Sequence, residues 1–521
     1  MEIAPSMARL HEYQGKAILA ANGFKIPRGR AVSTADEAVS AAKQLMGPKG
    51  GEVVVKIQAW TTGRAGIGGV AFAKRPADVR GHAARMLSMK VGQFPVEAVL
   101  VEEKIVIERE FFLSFAIDDA ARAPMIILAA GGGSGIEARA ASTRRIACNV
   151  KHGPLDLAVT EAVASCGLSP AHATQLADAI QKLFVAARSV EARSLEINPL
   201  VLTKDGQFVA ADCRITIDDY AVARHPDLGI EIAREFDHPP TALERVAYAI
   251  EQNDHRGTFY FAQLATAAGK DSKGLVGFHG AGGGGSMMSM DAIVNAGFTI
   301  ANFTDTSGNP SASKVYRAAR IILAQSDLAG YFGSGSGVAS QEQYWSAYGL
   351  AKAFWELDLD IPAVIRLGGN TEDRAVDILQ RMSKLLRAPV EGYRKTDAPA
   401  MIAGRFTELV ADASGTKWKP RAPRVPKFVK NTSATMLPVK SGRVWIDTAK
   451  WSEIRPAVET HSGGLIVDHK GRPASWLPNE EFATKDSELL ACDVECRLAG
   501  VEGFYLELDI PGLDEVIGGA R

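Results

Sequence analysis

The chain has 521 residues, and its 59 Lys+Arg are balanced by 60 Asp+Glu. That balance offers no concentrated basic face for nucleic acid or an anionic membrane surface, and 46% hydrophobic with 23% charged residues is ordinary for a globular protein. The segment from Met1 to Lys16 has no signal-like apolar run, no stretch reaches the roughly 18 apolar residues of a membrane span, and the chain reads as cytoplasmic with about three domains.

Glycine stands out, with 50 residues, many in short clusters that suggest backbone close to a ligand. The five cysteines, at 148, 166, 213, 492 and 496, are too sparse for a disulfide framework. Cys492 and Cys496 share a helix face without further ligands, which predicts packing rather than zinc.

In chain order, Arg9 to Ala21 predicts an amphipathic helix ended near Gly23. Val53 to Gln58, Ala98 to Glu102, Phe111 to Ile117 and Met125 to Ala130 predict strands, and residues 170–190 a long helix. Ser194 to Thr203 and Gln207 to Asp212 form a hairpin pattern around Lys204-Asp-Gly206. From Pro239 onward, short strands alternate with helices: Gly274 to His279, Met287 to Ala296, Ile300 to Asp305, Val315 to Ala324, Leu328 to Phe332, Tyr344 to Glu356 and Pro362 to Leu367. Such alternation predicts a parallel sheet whose ligands sit at the carboxyl ends of its strands. Three glycine-rich stretches follow predicted strands and read as loops there: Gly280 to Gly285, Gly333 to Gly337, and Gly368-Gly-Asn370. Residues 414–435 interleave Lys417, Lys419, Arg421, Arg424 and Lys427 with Pro420, Pro423 and Pro426, which predicts an extended, solvated linker. Residues 436–521 carry enough strand and helix pattern for a small α+β domain.

The strongest local signal is Leu195-Glu-Ile-Asn-Pro-Leu200 with Asp212 downstream. Glu196 and Asn198 alternate with Leu195 and Ile197, so they share one strand face. With Asp212 on the opposing strand they make a hard-oxygen cluster suited to Mg²⁺. The same spacing also fits an ordinary polar strand face. Lys56 closes an apolar strand and is followed by a glycine-rich segment holding Gly63 and Arg64, a pattern that suits phosphate or a flexible hairpin. Glu102 ends another apolar strand, with Glu110 beyond it; such carboxylates serve a ribose or adenine, or solvation.

In order and spacing these pieces resemble the β subunit of the succinyl-CoA synthetase family. The resemblance is carried by Leu10-His-Glu-Tyr-Gln14, Val55-Lys-Ile-Gln58, Gly63-Arg64, Gly68-Gly69, Val101-Glu102, Glu110, Glu196 to Leu200 and Asp212, then by Gly280-Ala-Gly282, Ala301-Asn-Phe303, Asp305, Lys314, Arg366 and Gly369-Asn370. It covers about residues 7–413 and implies an ATP-grasp nucleotide-binding domain over 7–240 and a flavodoxin-like CoA-ligase domain over 241–413; with the 414–435 linker and the 436–521 domain, which has no counterpart in the family pattern, the chain is expected to be α/β and α+β multidomain. It implies ATP or GTP as substrate, Mg²⁺ as cofactor, and CoA as a co-substrate held mainly by a partner. Lys56, Gly63 and Arg64 would meet phosphates, Glu102 and Glu110 the nucleoside, Asn198 and Asp212 the metal, and Glu196 would steady a phosphorylated histidine. That histidine and the CoA-binding domain belong to an α-type subunit, in an αβ or α2β2 heteromer; His82 echoes its motif but sits in a helical stretch and reads as a surface histidine.

The carboxylate-binding loops depart from the family pattern. His279 replaces asparagine, Asp305-Thr-Ser-Gly-Asn-Pro-Ser311 is longer and bulkier, Phe332-Gly-Ser-Gly-Ser-Gly337 replaces a simpler turn, and Gly368 replaces an acid. His279, Gly280, Gly282, Gly335, Gly337 and Asn370 are the candidate substrate residues. Donors on His279, Ser334 and Ser336 suggest a short dicarboxylate or substituted acid other than succinate, although His279 also fits a satisfied structural role. Gly66 stands where the family has lysine. Two other readings compete: a non-catalytic regulatory or assembly subunit, opposed by the retained metal-type residues, and an ATP-grasp ligase with a non-CoA acceptor, opposed by the Gly280 and Asn370 regions.

Overall fold

In a computed structural model of the chain, the described residues are 6–48, 50–61, 63–132, 143–234, 236–253, 258–335, 339–414, 418–431, 434–439, 442–461, 466–467, 473–475 and 486–518. They form two compact units, 1–239 and 240–521.

The first unit opens with helix α1 (Glu12–Ala21) and holds two sheets. The smaller comprises β1 (Gly29–Val32), β2 (Val53–Ile57), β3 (Val70–Ala73) and β4 (Val99–Glu103), in the order β1-β4-β2-β3. Helices α2 (Ala35–Met46) and α3 (Pro76–Leu87) cover one face, burying Ala38, Ala42, Val79 and Met86 against Val53, Val55, Val99 and Val101. Alternation along β2 then turns Val54 and Lys56 to the other face. Phe72 and Glu102 are register partners of Val54, and Val70 is the partner of Lys56. The larger sheet comprises β5 (Ile107–Asp118), β6 (Ala123–Ala130), β7 (Thr143–Asn149), β8 (Gly153–Pro154), β9 (Ala192–Thr203) and β10 (Phe208–Ala210), ordered β8-β7-β6-β5-β9-β10, with β11 (Arg214–Ile217) also paired to β9. The 20-residue helix α4 (Pro170–Ser189), capped by Ser169, packs Leu176, Ile180, Leu183 and Phe184 inward.

The second unit is built on a six-stranded sheet: β12 (Tyr260–Gln263), β13 (Leu275–Ala281), β14 (Thr299–Asp305), β15 (Leu328–Gly335), β16 (Ala363–Arg366) and β17 (Val390–Tyr393). The order is β12-β14-β13-β15-β16-β17, parallel except for β12. Helices α5 (Gly283–Asn295), α6 (Ala312–Ile322), α7 (Tyr344–Glu356), α8 (Glu372–Ser383) and α9 (Pro399–Asp412) follow its strands. The last segment adds a three-stranded sheet of β18 (Ala434–Val439), β19 (Gly442–Asp447) and β20 (Phe504–Glu507), with helices α10 (Trp451–His461) and α11 (Asp486–Leu498).

Three sequence expectations change here. The glycine cluster after β13 is not wholly a loop: Gly283 to Gly285 make the first turn of α5. Each glycine costs about 1 kcal/mol in a helix, which packing of Ser286, Ser289 and Ile293 against the sheet overrides. The second cluster is likewise strand through Gly335, and at Gly333 a Cβ would lie 2.9 Å from the Cδ1 methyl of Ile365 on the neighbouring strand. The basic linker is only partly solvated: Lys419, Arg424 and Lys427 are exposed, but the segment docks between them. Trp418 and Phe428 are buried, the Trp418 indole donates to the Leu323 carbonyl at 2.8 Å, and Arg421 pairs with Asp360. Its alternating prolines forgo internal hydrogen bonding, so the chain is free to lie as a strap along the unit. The 436–521 segment shares one hydrophobic core with the parallel-sheet domain, Leu489, Ala491 and Leu506 joining Tyr316, Tyr348 and Phe354. All five cysteines are free and buried, and burial pushes the Cys496 thiol up to about 12.

Candidate active site

Eight sequence-selected residues of the first unit line one cleft of about 730 Å³: Lys56, Gly63, Arg64, Glu102, Glu110, Glu196, Asn198 and Asp212. Lys56 comes from β2, Glu102 from β4, Glu110 from β5, and Glu196 and Asn198 from β9; Gly63, Arg64 and Asp212 lie in connections. Val54, Val70, Phe72, Ile105 and Ile107 give the cleft an apolar wall beside this charge. Such a division suits a ligand with a flat apolar body and an ionic tail.

The ionic part is a closed network of three cations and three carboxylates. Glu12 Oε1 accepts from Lys16 at 2.7 Å and Lys56 at 2.8 Å, and its Oε2 accepts from Arg64 at 2.6 Å. Glu102 pairs with Lys16 at 2.6 Å and Lys56 at 3.0 Å, and Asp212 accepts from Arg64 at 2.5 Å. Lys56 also donates to the Ala211 carbonyl at 2.8 Å. Burial alone would discharge Lys56, but Glu12, Glu102 and Asp212 outweigh it and raise its pKa. Burial also opposes the charge on Glu12, and Lys56, Lys16 and Arg64 overcome it and hold the carboxyl well below the usual range. His11 stacks on Trp60 at 4.5 Å beside this network; burial and Arg64 push it down to about 4.

Two placements differ from expectation. Glu102 is held inside the network by both lysines, so its carboxylate is committed to the protein rather than offered to a nucleoside. A carboxylate this deeply buried needs countercharge within the fold. Glu12 and Lys16 were not singled out in sequence. The available signal was their position: they are one turn apart on the face of α1 that also buries Gly15 and Leu19, so charge falls where an apolar stripe would run.

Asn198 Nδ2 donates to Glu196 Oε1 at 3.2 Å, and Asp212 Oδ1 accepts from the Cys213 amide at 2.8 Å. The donor set at this wall is oxygen from two carboxylates and an amide, which fits Mg²⁺ and not a softer metal. Among the described residues no three His, Cys, Asp or Glu side chains gather around one point; Mg²⁺ completing its shell with phosphate and water needs fewer.

In the second unit, Gly280 and Gly335 fall at the carboxyl ends of β13 and β15. A Cβ at Gly280 would lie 2.7 Å from the Ser286 hydroxyl. Gly282 caps α5 with φ +92°, open to glycine at little cost, and its amide donates to Asp305 at 2.9 Å. The Asn370 carbonyl accepts from the Gln343 amide at 2.9 Å, and Gly369–Asn370 pairs with Ala339–Glu342. Gly337 and Ser336 lie outside the described residues. His279 takes the structural alternative: it is buried, its Nδ1 faces the Tyr331 hydroxyl, its Nε2 faces Thr306 Oγ1 at 3.2 Å, and burial pushes its pKa down to about 3. Ser334 is also turned inward, onto Ser289 Oγ at 2.7 Å. Of the three donors expected to read a substrate, His279 and Ser334 are satisfied within the fold. His82 lies half-buried on α3.

Residues 9–202 match the ATP-grasp domain family. The chain is 32% identical over 375 residues to the ADP-forming succinate–CoA ligase β subunit of Rubrobacter xylanophilus, across 71% of this chain and 92% of that protein. It is 32% identical over 376 residues to the GDP-forming counterpart of Thermus thermophilus, across 71% and 93%. The chain belongs to the succinate–CoA ligase β-subunit family. A structure of ATP citrate lyase from Methanothrix soehngenii, in complex with citrate and coenzyme A, superposes with a TM-score of 0.64 at 17% identity, covering 77% of this chain and 99% of that one, which shows a shared fold. Membership in the family gives the cleft its context: an ATP-grasp domain whose ionic network is assembled from α1, β2, β4 and the connections that hold Arg64 and Asp212. Among the described residues no helix is long and apolar enough to cross a membrane.

Proposed function

We propose that the chain is the nucleotide-handling β-type subunit of a nucleoside-diphosphate-forming carboxylate–CoA ligase, working with an α-type partner. The observation that carries this is the convergence of Lys56, Arg64, Glu196, Asn198 and Asp212 on one cleft with an apolar wall. Lys56 and Arg64 bind and orient the phosphates of ATP or GTP, and the apolar wall around Val54 and Phe72 takes the base. Asn198 and Asp212 hold Mg²⁺, which supplies charge neutralisation at the transferring phosphoryl group. Arg64 then shifts its pairing from Asp212 toward phosphate. Glu196 orients the partner's histidine by accepting its ring N–H, so that the opposite nitrogen faces the phosphoryl group. Catalysis of this kind is positioning and electrostatics rather than covalent work by the chain.

The acid is a short dicarboxylate or substituted acid. With His279 and Ser334 satisfied internally, support for a substrate other than succinate rests on the longer 305–311 loop. The test is to purify the chain with its α-type partner and assay CoA-dependent release of ADP or GDP with succinate and with hydroxy- and methyl-substituted dicarboxylates. Turnover of a substituted acid above succinate is expected. Nucleotide binding without turnover of any acid would favour a regulatory subunit, and release with an amine and no CoA would favour a different ligase.

A further inference from the structure

We propose that Glu12 is the positioning residue that holds Lys56 and Arg64 at the ionic end of the cleft. This rests on the reading of that end as the phosphate site. Glu12 is the first residue of α1, its side chain is 2% exposed, and both its oxygens are used. Three cations from three separate segments meet on it: Lys16 from its own helix, Lys56 from β2 and Arg64 from the connection beyond β2. Among the described residues it is the one carboxylate paired to both Lys56 and Arg64; Glu102 reaches Lys16 and Lys56, and Asp212 reaches Arg64. Removing Glu12 therefore unties the two cations from each other, while each keeps a second partner.

Burial divides the network by depth. Glu12, Lys16 and Glu102 are 2–3% exposed, whereas Lys56 and Arg64 are 13% and 12% exposed; all of these but Lys16 line the cleft. Glu12 borders the cleft with the two cations but is nearly closed to solvent, so the cations present the more accessible surface. Long cationic side chains lose considerable rotamer freedom when fixed. Glu12 imposes that loss during folding, so a phosphate ligand meets cations already ordered. A helix glutamate that orients a phosphate-binding strand lysine serves the same purpose in protein kinases.

The test compares full-length wild type, Glu12→Gln and Glu12→Asp in direct binding of MgATP, MgGTP, adenosine and guanosine. Glu12→Gln is expected to weaken the preferred Mg-triphosphate roughly tenfold or more, with nucleoside affinity unchanged. Its triphosphate binding should also fail at a lower alkaline pH, because Lys56 loses a charge that keeps it protonated. Glu12→Asp keeps that charge but not the reach, so its alkaline limit should match wild type while affinity falls by a smaller factor; it carries the test should Glu12→Gln not fold. Equal triphosphate affinity and an unchanged alkaline limit in both variants would overturn the proposal. Parallel loss of nucleoside and triphosphate would also overturn it, as the mark of a purely structural role. Failure of wild type to bind any Mg-triphosphate would instead sink the nucleotide-site reading, and the role of Glu12 with it.

Discussion

Each unit buries a dense ionic network, and the two are built for different ends. In the first unit, three cations and three carboxylates are graded in exposure, from 2% at Glu12 to 31% at Asp212, and all but Lys16 line a cleft. In the second, Lys352 is 2.6 Å from Glu356 and 2.5 Å from Asp493, Arg497 is 2.8 Å from Asp493, and Arg320 is 3.4 Å from Glu356. No member there is more than 5% exposed. Its third cation has no third carboxylate; aromatic faces serve instead, with Arg497 3.4 Å over Trp355 and Lys352 4.6 Å over Tyr505. On the proposed reading, the first network exchanges protein partners for a ligand. The second ties α7 to α11 and fixes the C-terminal segment on the parallel-sheet domain.

The sharpest way to break this comparison is to remove one charge from each network. Lys352→Met leaves two buried carboxylates short of a partner, and the second unit should lose about 3–5 kcal/mol, read as a lower midpoint in thermal or denaturant unfolding. Mg-nucleotide binding at 20 °C should be unchanged while the protein stays folded. An unfolding midpoint equal to wild type would deny the network its structural role. Lys56→Met is the converse case. With the α-type partner, kcat/KM should fall by roughly 10²–10³-fold, with a smaller stability loss than Lys352→Met. A larger loss of stability than of activity would make the first network structural too.

A smaller effect is a pH dependence to which each unit contributes one buried histidine, His11 in the first and His279 in the second. Burial holds His279 at about 3 in the folded protein against an ordinary 6.5. The unfolded chain takes up a proton that the folded chain refuses, so the stabilisation is complete above 6.5 and is lost as pH falls toward 3, by about 2 kcal/mol at pH 5. The Glu12 carboxyl is depressed from 4.5, so its contribution is still complete over that interval. Unfolding titrations from pH 7 to 5 should show a slope in wild type that His279→Gln reduces by this amount, the remainder coming from His11, which is held at about 4. The same slope in both proteins would place the titrating group elsewhere.

Much of the first unit's cleft was legible in sequence because strand alternation is a strict rule. Glu196 and Asn198 had to share a face, and Lys56 had to stand beside Val54. Glu12, though part of the Leu10–Gln14 motif, and Lys16 were given no role because a charge on a helix face usually means solvent, and only the tertiary partners of α1 reveal burial. In the second unit the sheet order follows from alternating elements, but its glycine clusters misled. Glycine signals a need for space without saying whether helix, strand or loop supplies it, and Gly283 and Gly333 serve the first two. His279 and Ser334 show the same limit: a donor in a substrate-binding position is still free to bond its neighbours. Trp418 was the overlooked mark that the basic segment docks.

The most direct test is a crystal structure of the complete chain with a non-hydrolysable Mg-nucleoside triphosphate. The expected result is phosphate oxygens within hydrogen-bond distance of Lys56 and Arg64, the metal on Asn198 and Asp212, and the base against Val54 and Phe72. A nucleotide bound elsewhere, or a cleft in which Arg64 and Lys56 stay wholly engaged by Asp212, Glu12 and Glu102 at saturating ligand, would contradict it.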